Sequence, residues 1–273
     1  PSGLQRLLDG YNQFMLSLDL TTNASKSYTM ILSRNPKKKE YNFYSNKTKI
    51  QNINSFSYLG ILFDNKITWS QLKLSKQTQF IKAAGAIHTF IKRIGGKPIQ
   101  PILELYRAKC VSLALYGAGV WGYCPLNFLQ TEENRFLRRL LGVPICTPAY
   151  NVHEELGLPF LSDLLACQPL LSWLLAWSVD EKNLNRAVLK DCLQLDNSKA
   201  IPWLQYIRRE LHQLGRIDLF LSPKSLPRSE INLIKKDFLK RRAIMREECE
   251  LQKIAVKDFI LLKTAPGLEP YLL

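Results

Sequence analysis

Basic side chains crowd one stretch of the sequence. Between Lys26 and Lys97 stand fourteen lysines and arginines, against two acidic residues, Glu40 and Asp64. This window carries a net charge of +12 out of the +15 of the 273-residue chain, so the excess of positive charge is local. A surface that follows a phosphate backbone needs such a concentration of cations. The window therefore indicates contact with nucleic acid, and the alternative is a solvated lysine-rich face.

Residue types suited to other chemistry are scattered. The six cysteines form no C-x-x-C pair, and the three histidines show no ligand spacing, so the sequence offers no zinc site. Cysteines without such spacing are typical of a reduced intracellular protein. We therefore expect no structural metal in this chain.

The elements that must position the basic window change in type at Trp69. Before it, an amphipathic helix with apolar residues from Leu4 to Leu18 is expected to end at Asn23, and about three strand-like runs follow. A proline-containing basic turn, Arg34 to Glu40, separates two of these runs. After Trp69 every segment has helical spacing. The sequence predicts an α+β protein that is predominantly helical, with one small antiparallel sheet.

The helices after Trp69 are marked by apolar stripes and by glycine or proline at their ends. Gly95-Gly96 ends the first of them, whose stripe consists of Phe80, Ala84, Ile87, Ile91 and Ile94. Further helices are predicted over Ile102 to Val120, over Leu126 to Leu141, from Pro202, and from about Ser229 to Ile260.

The most apolar run, Leu161 to Asp180, raises the question of a membrane span. Asp163, Gln168 and the central Pro169 argue against one. The run is therefore interpreted as a buried, kinked core helix.

Two short motifs have competing interpretations. The stretch FSYLGILFD, Phe56 to Asp64, has the composition of a single buried strand. In it, Tyr58, Leu59 and Gly60 would be core residues, and Gly60 would be a bulge or a point of close backbone approach. The stretch YGAGVW, Tyr116 to Trp121, is interpreted as close helix packing through small residues. A phosphate-binding loop is the alternative, but this stretch has no strand before it and no lysine after it.

Several ordered stretches of the sequence are informative together. They are LTTNASKSYTMILS, FSYLGILFDNKITWSQ, ILELYRAKCVSLALYGAGVWG, and ENRFLRRLLGVPICTP followed by HEELGLPFL. In this order they resemble the reverse transcriptase of non-LTR (LINE-type) retrotransposons, including its Tyr-Leu-Gly element and its helix ending in Leu-Tyr-Gly-x-x-x-Trp. The similarity covers roughly Leu4 to Leu161, and the order makes it more specific than any single motif.

The resemblance implies three regions: the end of the polymerase palm (1–67), a thumb-like helical region (68–157) and a C-terminal helical region (158–273). Such polymerases hold two metal ions with aspartates, and this chain contains no Asp-Asp dipeptide. The catalytic aspartates are therefore expected upstream of Pro1, in a longer polymerase. We expect no cofactor in this chain, Mg²⁺ in the complete enzyme, and no polymerase activity of the chain alone.

The resemblance also implies roles for individual residues. Lys26 takes the place of a lysine on the pyrophosphate side of the active site, and the alternative is a solvated loop lysine. Tyr58, Leu59 and Gly60 take the place of the primer grip. The residues expected to contact the nucleic-acid backbone are Lys66, Lys73, Lys76, Lys82, Lys92 and Arg93.

The first hypothesis for function is a fragment of an RNA-directed DNA polymerase that contributes primer-grip and template-primer backbone contacts. One alternative is a non-catalytic, basic helical nucleic-acid-binding protein derived from such an element, and another is an interaction scaffold whose charge is incidental. The expected partners are an RNA template, a DNA primer, their duplex, and the palm and fingers of the same polyprotein, with no membrane partner. The resemblance implies an intracellular location, in the nucleus or the cytoplasm.

Overall fold

Helices dominate the computed structural model, which describes residues 2–32, 41–96, 98–196 and 201–252. The fold is α+β and predominantly helical, as predicted. The chain forms two units, Pro1–Ser75 and Lys76–Leu273. The predicted basic turn, Arg34 to Glu40, lies outside the described residues. The part of the predicted last helix beyond residue 252 also lies outside them.

The first unit opens with helix α1, Ser2–Ser17, which ends earlier than the predicted Asn23. Most apolar side chains of this helix are exposed. Asn12 is buried, and its Oδ1 accepts hydrogen bonds from Thr22 Oγ1 at 2.8 Å and from Ser45 Oγ at 3.0 Å. A buried polar contact therefore ties α1 to the segments that follow it.

The described residues that follow contain six short strands: β1 Tyr28–Thr29, β2 Tyr44–Ser45, β3 Thr48–Lys49, β4 Gln51–Asn52, β5 Ser55–Tyr58 and β6 Ile61–Asp64. They pair as three separate two-stranded ladders. β1 pairs in parallel with β4, whereas β2 pairs antiparallel with β3 and β5 antiparallel with β6. The strand region thus differs from a single antiparallel sheet, because it consists of two hairpins and one separate parallel pair.

The Tyr-Leu-Gly element is the tip of a hairpin. Tyr58 pairs with Ile61, and Leu59 and Gly60 between them have φ angles of 47° and 76°. Two consecutive residues with positive φ are typical of a type I′ turn, which matches the twist of the flanking strands. Tyr58 is 61% exposed and Leu59 72% exposed. The prediction of one buried strand, with a core Tyr58 and Leu59 and a bulge at Gly60, is wrong because the apolar run spans two strands and their turn.

Asp64 directs the chain from β6 into helix α2, Ser70–Ile94. Its carboxylate accepts hydrogen bonds from the backbone N–H groups of Lys66, Thr68 and Trp69 at 2.9 to 3.1 Å. Burial opposes the charged form of Asp64, but these hydrogen bonds outweigh it and lower the pKa of the carboxyl group. One side chain therefore satisfies three backbone donors of the connecting turn.

The second unit is built from helices, and α2 runs into it. The predicted stripe of α2 is buried at Phe80, Ala84, Ile87 and Ile91, while Ile94 is exposed, and Gly95 at φ 66° ends the helix. The other helices are α3 Ile99–Tyr106, α4 Ser112–Leu115, α5 Ala118–Trp121, α6 Asn127–Leu141, α7 Ala149–Glu155, α8 Leu161–Trp177, α9 Leu184–Asp196, α10 Pro202–Gln213, α11 Asp218–Leu221 and α12 Arg228–Glu250.

The helix predicted over Ile102 to Val120 is interrupted twice. Between α3 and α4, Arg107–Val111 forms a π-helical turn, which the N–H of Ser112 closes by bonding the carbonyl oxygen of Arg107. The Ser112 hydroxyl donates to the carbonyl oxygen of Ala108, which adds a side-chain hydrogen bond to this π-helical turn. Between α4 and α5, Gly117 with φ 71° breaks the helix, because glycine adopts this conformation without strain.

Helix α5 packs closely against α8 through glycines. A Cβ atom on Gly119 would lie 1.9 Å from Ser172 Oγ, and one on Gly122 would lie 2.4 Å from the carbonyl oxygen of Leu165. No side chain fits at either position without movement of a neighbour. The interpretation of YGAGVW as close helix packing is confirmed.

Helix α8 lies in the core of the second unit. Most of its residues are buried and Pro169 lies inside it, which confirms the prediction of a buried core helix. The ring of Trp173 lies 5.5 Å from that of Trp177 and 5.4 Å from that of Phe220. Across the described ranges, no helix combines the length and apolar character needed to cross a bilayer.

Ion pairs attach helix α12 to its neighbours. Arg242 Nε and Arg246 Nη2 lie 2.7 Å and 2.9 Å from Asp163 Oδ1 on α8. Arg241 Nη2 lies 2.7 Å from Glu210 Oε2 on α10. Both carboxylates are buried. Several of the positive charges of α12 are therefore engaged inside the unit.

Candidate nucleic-acid interface

Helix α2 separates its apolar residues from most of its charges. Its stripe is buried, whereas Lys82, Lys92 and Arg93 are exposed. Eleven residues make about three helical turns, so Lys82 and Arg93 lie on nearly the same side of the helix. Within the part of the chain that the structure describes, no carboxylate oxygen lies within 4.0 Å of these three cations. Their charges are available to a partner.

Lys76 differs from the other predicted backbone contacts, because its side chain is buried. Its Nζ donates to the carbonyl oxygen of Leu113 at 3.0 Å and lies 5.1 Å from the centre of the Tyr116 ring. Leu113 is near the end of α4, where carbonyl groups have no partner within the helix, so the ammonium group caps it. Burial lowers the pKa of Lys76. The assignment of Lys76 to a nucleic-acid surface is corrected, and its position four residues before Phe80 on the stripe was the available signal.

The remaining predicted site residues lie in the first unit. Lys66 is exposed in the turn after β6, and Lys73 is half-buried in the first turn of α2. Lys26 is exposed at the end of a short 3₁₀ turn, where its N–H bonds the side chain of Asn23. The ring of Tyr28, two residues later, lies 5.8 Å from that of Phe56 on β5. Packing within this unit therefore connects the segment of Lys26 to the hairpin that carries Tyr58, Leu59 and Gly60.

Helix α6 adds arginines that the sequence-based assignment missed. Arg135, Arg138 and Arg139 line a groove of about 550 Å³ together with the loop from Gly142 to Ile145. Arg139 is exposed, Arg135 Nη1 lies 2.8 Å from Glu132 Oε1, and Arg138 Nε donates to the carbonyl oxygen of Thr147 at 2.8 Å. These arginines occur in the motif ENRFLRRLLGVP, in which the pair Arg138-Arg139 is the available sequence signal.

A second groove, of about 230 Å³, lies between α2 and α6 and shares Arg135 and Arg139 with the first. Its walls include Phe80 and Ala84 of α2, and Phe136 of α6, whose ring lies 5.0 Å from that of His88. Glu132 accepts a hydrogen bond from Gln77 Nε2 at 3.0 Å, which links the two helices. The arginines of α6 thus stand on a helix that is packed directly against α2.

A buried carboxyl group braces α6 from behind. Glu133 accepts a hydrogen bond from the hydroxyl of Tyr106, while its Oε2 accepts from the N–H of Leu161 at 2.9 Å and from Gln130 Nε2 at 2.7 Å. Burial raises the pKa of Glu133 to about 7, against the opposing effect of these hydrogen bonds. The network joins α3, α6 and the start of α8.

His153 extends this network to α7. Its Nε2 lies 3.1 Å from Asn134 Oδ1, and its Nδ1 lies 3.3 Å from the carbonyl oxygen of Leu158. The imidazole ring stacks on Phe160 with centroids 3.8 Å apart. Burial lowers the pKa of His153 to about 4, so the ring is neutral near pH 7. His153 therefore acts as a packed structural histidine.

Metal chemistry has no ligand set among these residues. In the described ranges, no three His, Cys, Asp or Glu side chains converge in a way that could hold a metal ion. The Mg²⁺ implied for a complete polymerase therefore has no fitting site here, and no metal-dependent step is assigned to the described residues.

Comparison with known proteins agrees with the motifs. Over 167 residues, the chain is 25% identical to the RNA-directed DNA polymerase from the mobile element jockey of Drosophila melanogaster. The resemblance to a non-LTR retrotransposon reverse transcriptase is confirmed. The match covers 60% of this chain and 18% of the jockey polymerase, so the chain spans less than a fifth of that relative. No protein-family profile matches the chain, and no solved structure matches it.

Three of the later motifs that carry the resemblance correspond to packing features of the second unit. ENRF supplies Glu133 and Asn134, and HEELGLPFL supplies His153 and Phe160, which meet in one buried network. The end of the third motif, YGAGVWG, supplies Gly119 and Gly122, which pack against α8. These residues therefore join α6, α7 and the start of α8, and bring α5 close to α8.

Proposed function

We propose that this chain is the part of a non-LTR retrotransposon RNA-directed DNA polymerase that holds the template-primer by its backbone. The observation that carries the proposal is the exposed cations of α2 without carboxylate partners, Lys82, Lys92 and Arg93, on a helix packed against the arginines of α6. Such an arrangement offers charge to phosphates and presents no matched set of groups to base edges.

Contacts of this kind have a defined signature. Each phosphate that is neutralised releases counterions, so affinity falls steeply as salt rises. Phosphate contacts carry no information about base identity, so two unrelated sequences should bind alike. The proposal therefore predicts sequence-tolerant and salt-sensitive binding of an RNA–DNA duplex.

We further propose that nucleotide addition depends on other parts of the same polymerase. Two-metal catalysis needs paired carboxylates, and this sequence has no Asp-Asp pair. The palm and fingers of the polyprotein are thus proposed as partners. Lys26, beside the departing pyrophosphate, and the hairpin tip Tyr58 to Gly60, as primer grip, are proposals that follow from the family resemblance.

The test measures duplex affinity by fluorescence anisotropy of a labelled RNA–DNA hybrid, at several salt concentrations and with two unrelated sequences. The variant Lys82→Gln/Lys92→Gln/Arg93→Gln should lower the salt slope by about 3, roughly one for each lost contact. The matched control Lys190→Gln/Lys236→Gln/Lys240→Gln removes the same charge from exposed positions on α9 and α12. It should change the slope much less.

Two results would count against the proposal. One is an affinity that stays flat between low and physiological salt. The other is an equal loss in the two triple variants, which would assign binding to net charge rather than to α2. Primer extension by the purified chain would contradict the proposed dependence on other parts of the polymerase.

A further inference from the structure

A concave pocket of about 510 Å³ lies among α6, α8, α10 and α12 of the second unit, apart from the α2 face. Three arginines line it: Arg209 from α10, and Arg242 and Arg246 from α12. No carboxylate is among its lining residues. The pocket is therefore a concave surface whose charged groups are all positive.

The arginines around this pocket outnumber the acids that bind them. Asp163 is bound by Arg242 and Arg246, and Glu210 is bound by Arg209 at 2.9 Å and by Arg241 at 2.7 Å. Four guanidinium groups thus share two buried carboxylates, which leaves an excess of two positive charges. A bound anion such as a backbone phosphate would offset part of this excess.

Aromatic rings hold two of these guanidinium groups in place. The Cζ of Arg246 lies 3.9 Å from the centre of the Phe160 ring, and the Cζ of Arg209 lies 5.1 Å from that of Tyr206. Arg209 is nevertheless 60% exposed, and Arg242 and Arg246 are 31% and 27% exposed. Their orientation is restricted while part of each donor set remains accessible.

The start of α6 adds to the positive potential. Asn127, its first residue, lines the pocket, and no side chain caps this 15-residue helix at Leu126. The positive end of a helix dipole favours an anion, as do the arginines.

We propose that this pocket binds a phosphate group of a nucleic-acid strand. The planar fork of arginine matches phosphate oxygens and forms charge-assisted hydrogen bonds with them. The recognition of phosphate rests on the arginines, whereas the choice of a nucleic-acid strand as its source rests on the proposed function. The site would give the C-terminal helices a contact of their own with the strand.

Arg209 is the residue that best tests the pocket. Its removal leaves Glu210 paired with Arg241, so no buried carboxylate loses all its partners. Arg208, the preceding residue on α10, is exposed and does not line the pocket. Arg208→Gln therefore removes the same charge as Arg209→Gln without touching the site.

The experiment measures binding of inorganic phosphate, and of a short single-stranded oligonucleotide, to the full chain by calorimetry. Arg209→Gln should weaken both by roughly tenfold, since it removes a charge-assisted hydrogen bond, whereas Arg208→Gln should leave both within about twofold. Thermal unfolding of both variants should match the parent chain. Equal binding by the two variants would overturn the proposal.

Competition separates the sources of the phosphate. If the oligonucleotide competes with inorganic phosphate for the parent chain, and this competition is lost in Arg209→Gln, the ligand is a nucleic-acid strand. If phosphate binds at Arg209 but the oligonucleotide does not compete, the nucleic-acid part of the proposal is wrong. Because the triple α2 variant leaves this pocket intact, it should bind inorganic phosphate normally even if the function proposed for α2 fails.

Discussion

Helices α2 and α12 are both long and basic, but their charges are used differently. α2 has five basic residues and no acidic one, whereas α12 has seven basic residues and five acidic ones. In α12, three arginines bind buried acids on neighbouring helices. In α2, one lysine is buried and the exposed cations have no carboxylate within reach in the described structure. Positive charge in a sequence can therefore be paired inside the fold or left exposed, and the acids around it decide which.

The largest expected effect concerns the attachment of α12. Asp163→Asn removes the carboxylate shared by Arg242 and Arg246, so both guanidinium groups lose their buried partner. We expect a loss of about 3 kcal/mol in the free energy of unfolding, measured by urea denaturation. Glu248→Gln, at an exposed position of the same helix, should change it by less than about 0.5 kcal/mol. Similar values for both variants would mean that the ion pairs do not attach α12.

Glu133 extends the comparison to a buried acid whose neighbours are mainly uncharged. Its pKa of about 7 means that the folded state binds a proton more tightly than the unfolded state, so this group makes stability fall as pH rises from about 4.5 to 7. His153, with a pKa of about 4, makes stability rise from about pH 4 to 6.5. The two contributions oppose each other in the parent chain.

In the variant Glu133→Gln, the contribution of His153 to the pH dependence of stability should no longer be opposed. We expect the free energy of unfolding of this variant to rise by roughly 2 kcal/mol between pH 4.5 and 6.5, relative to the parent chain over the same range. Denaturant unfolding at several pH values measures the slope, which is independent of any constant loss from the altered hydrogen bonds. His153→Asn should show the opposite slope, and unchanged slopes in both variants would contradict the two pKa shifts.

The α2 cations should affect binding without affecting stability. In the variant Lys82→Gln/Lys92→Gln/Arg93→Gln, the free energy of unfolding should change by less than about 0.5 kcal/mol, because the side chains are exposed. Duplex affinity near 100 mM salt should fall by at least about a hundredfold, equivalent to ~2.7 kcal/mol. A loss of stability comparable to that of Asp163→Asn would show that α2 and α12 use their charges alike.

The smallest expected effect is that of Lys76 on binding. Lys76→Met should leave duplex affinity within about twofold and the salt slope unchanged, since its ammonium group is buried against α4. Lys82→Met, which removes an exposed charge six residues later, should lower the salt slope by about 1. Anisotropy titrations of the two variants side by side provide the measurement, and an equal fall in slope would return Lys76 to the binding surface.

The sequence was sufficient to predict the apolar faces of the helices and the positions of several helix ends. The stripe from Phe80 to Ile91 gave α2, and Gly95 and Gly142 marked helix ends because they can adopt positive φ. Lys76 continues that stripe, but it was predicted to be exposed because lysines are rarely buried. The hairpin at Leu59-Gly60 was missed because a leucine in the first turn position is atypical of type I′ turns, which favour Asn-Gly.

The pairing of charges could not be predicted from the sequence. Arg242 and Asp163 are 79 residues apart, and no local spacing indicates that they meet. The arginines of α6 were visible as Arg138-Arg139, but the groove that they line depends on the loop after Gly142. The spacing of apolar residues along a helix thus determines which face is apolar, while contacts between distant elements determine which charges remain exposed and unpaired.

The π-helical turn at Arg107–Val111 holds one residue more than a regular helix of the same rise would need. Each helical residue rotates the chain by about 100°, so loss of that residue would turn Ala114 away from the buried side. Insertions and deletions between Tyr106 and Ala114 should therefore be rare among related chains, even where the residue types vary. We therefore expect evolution to constrain the length of this segment more strongly than its composition.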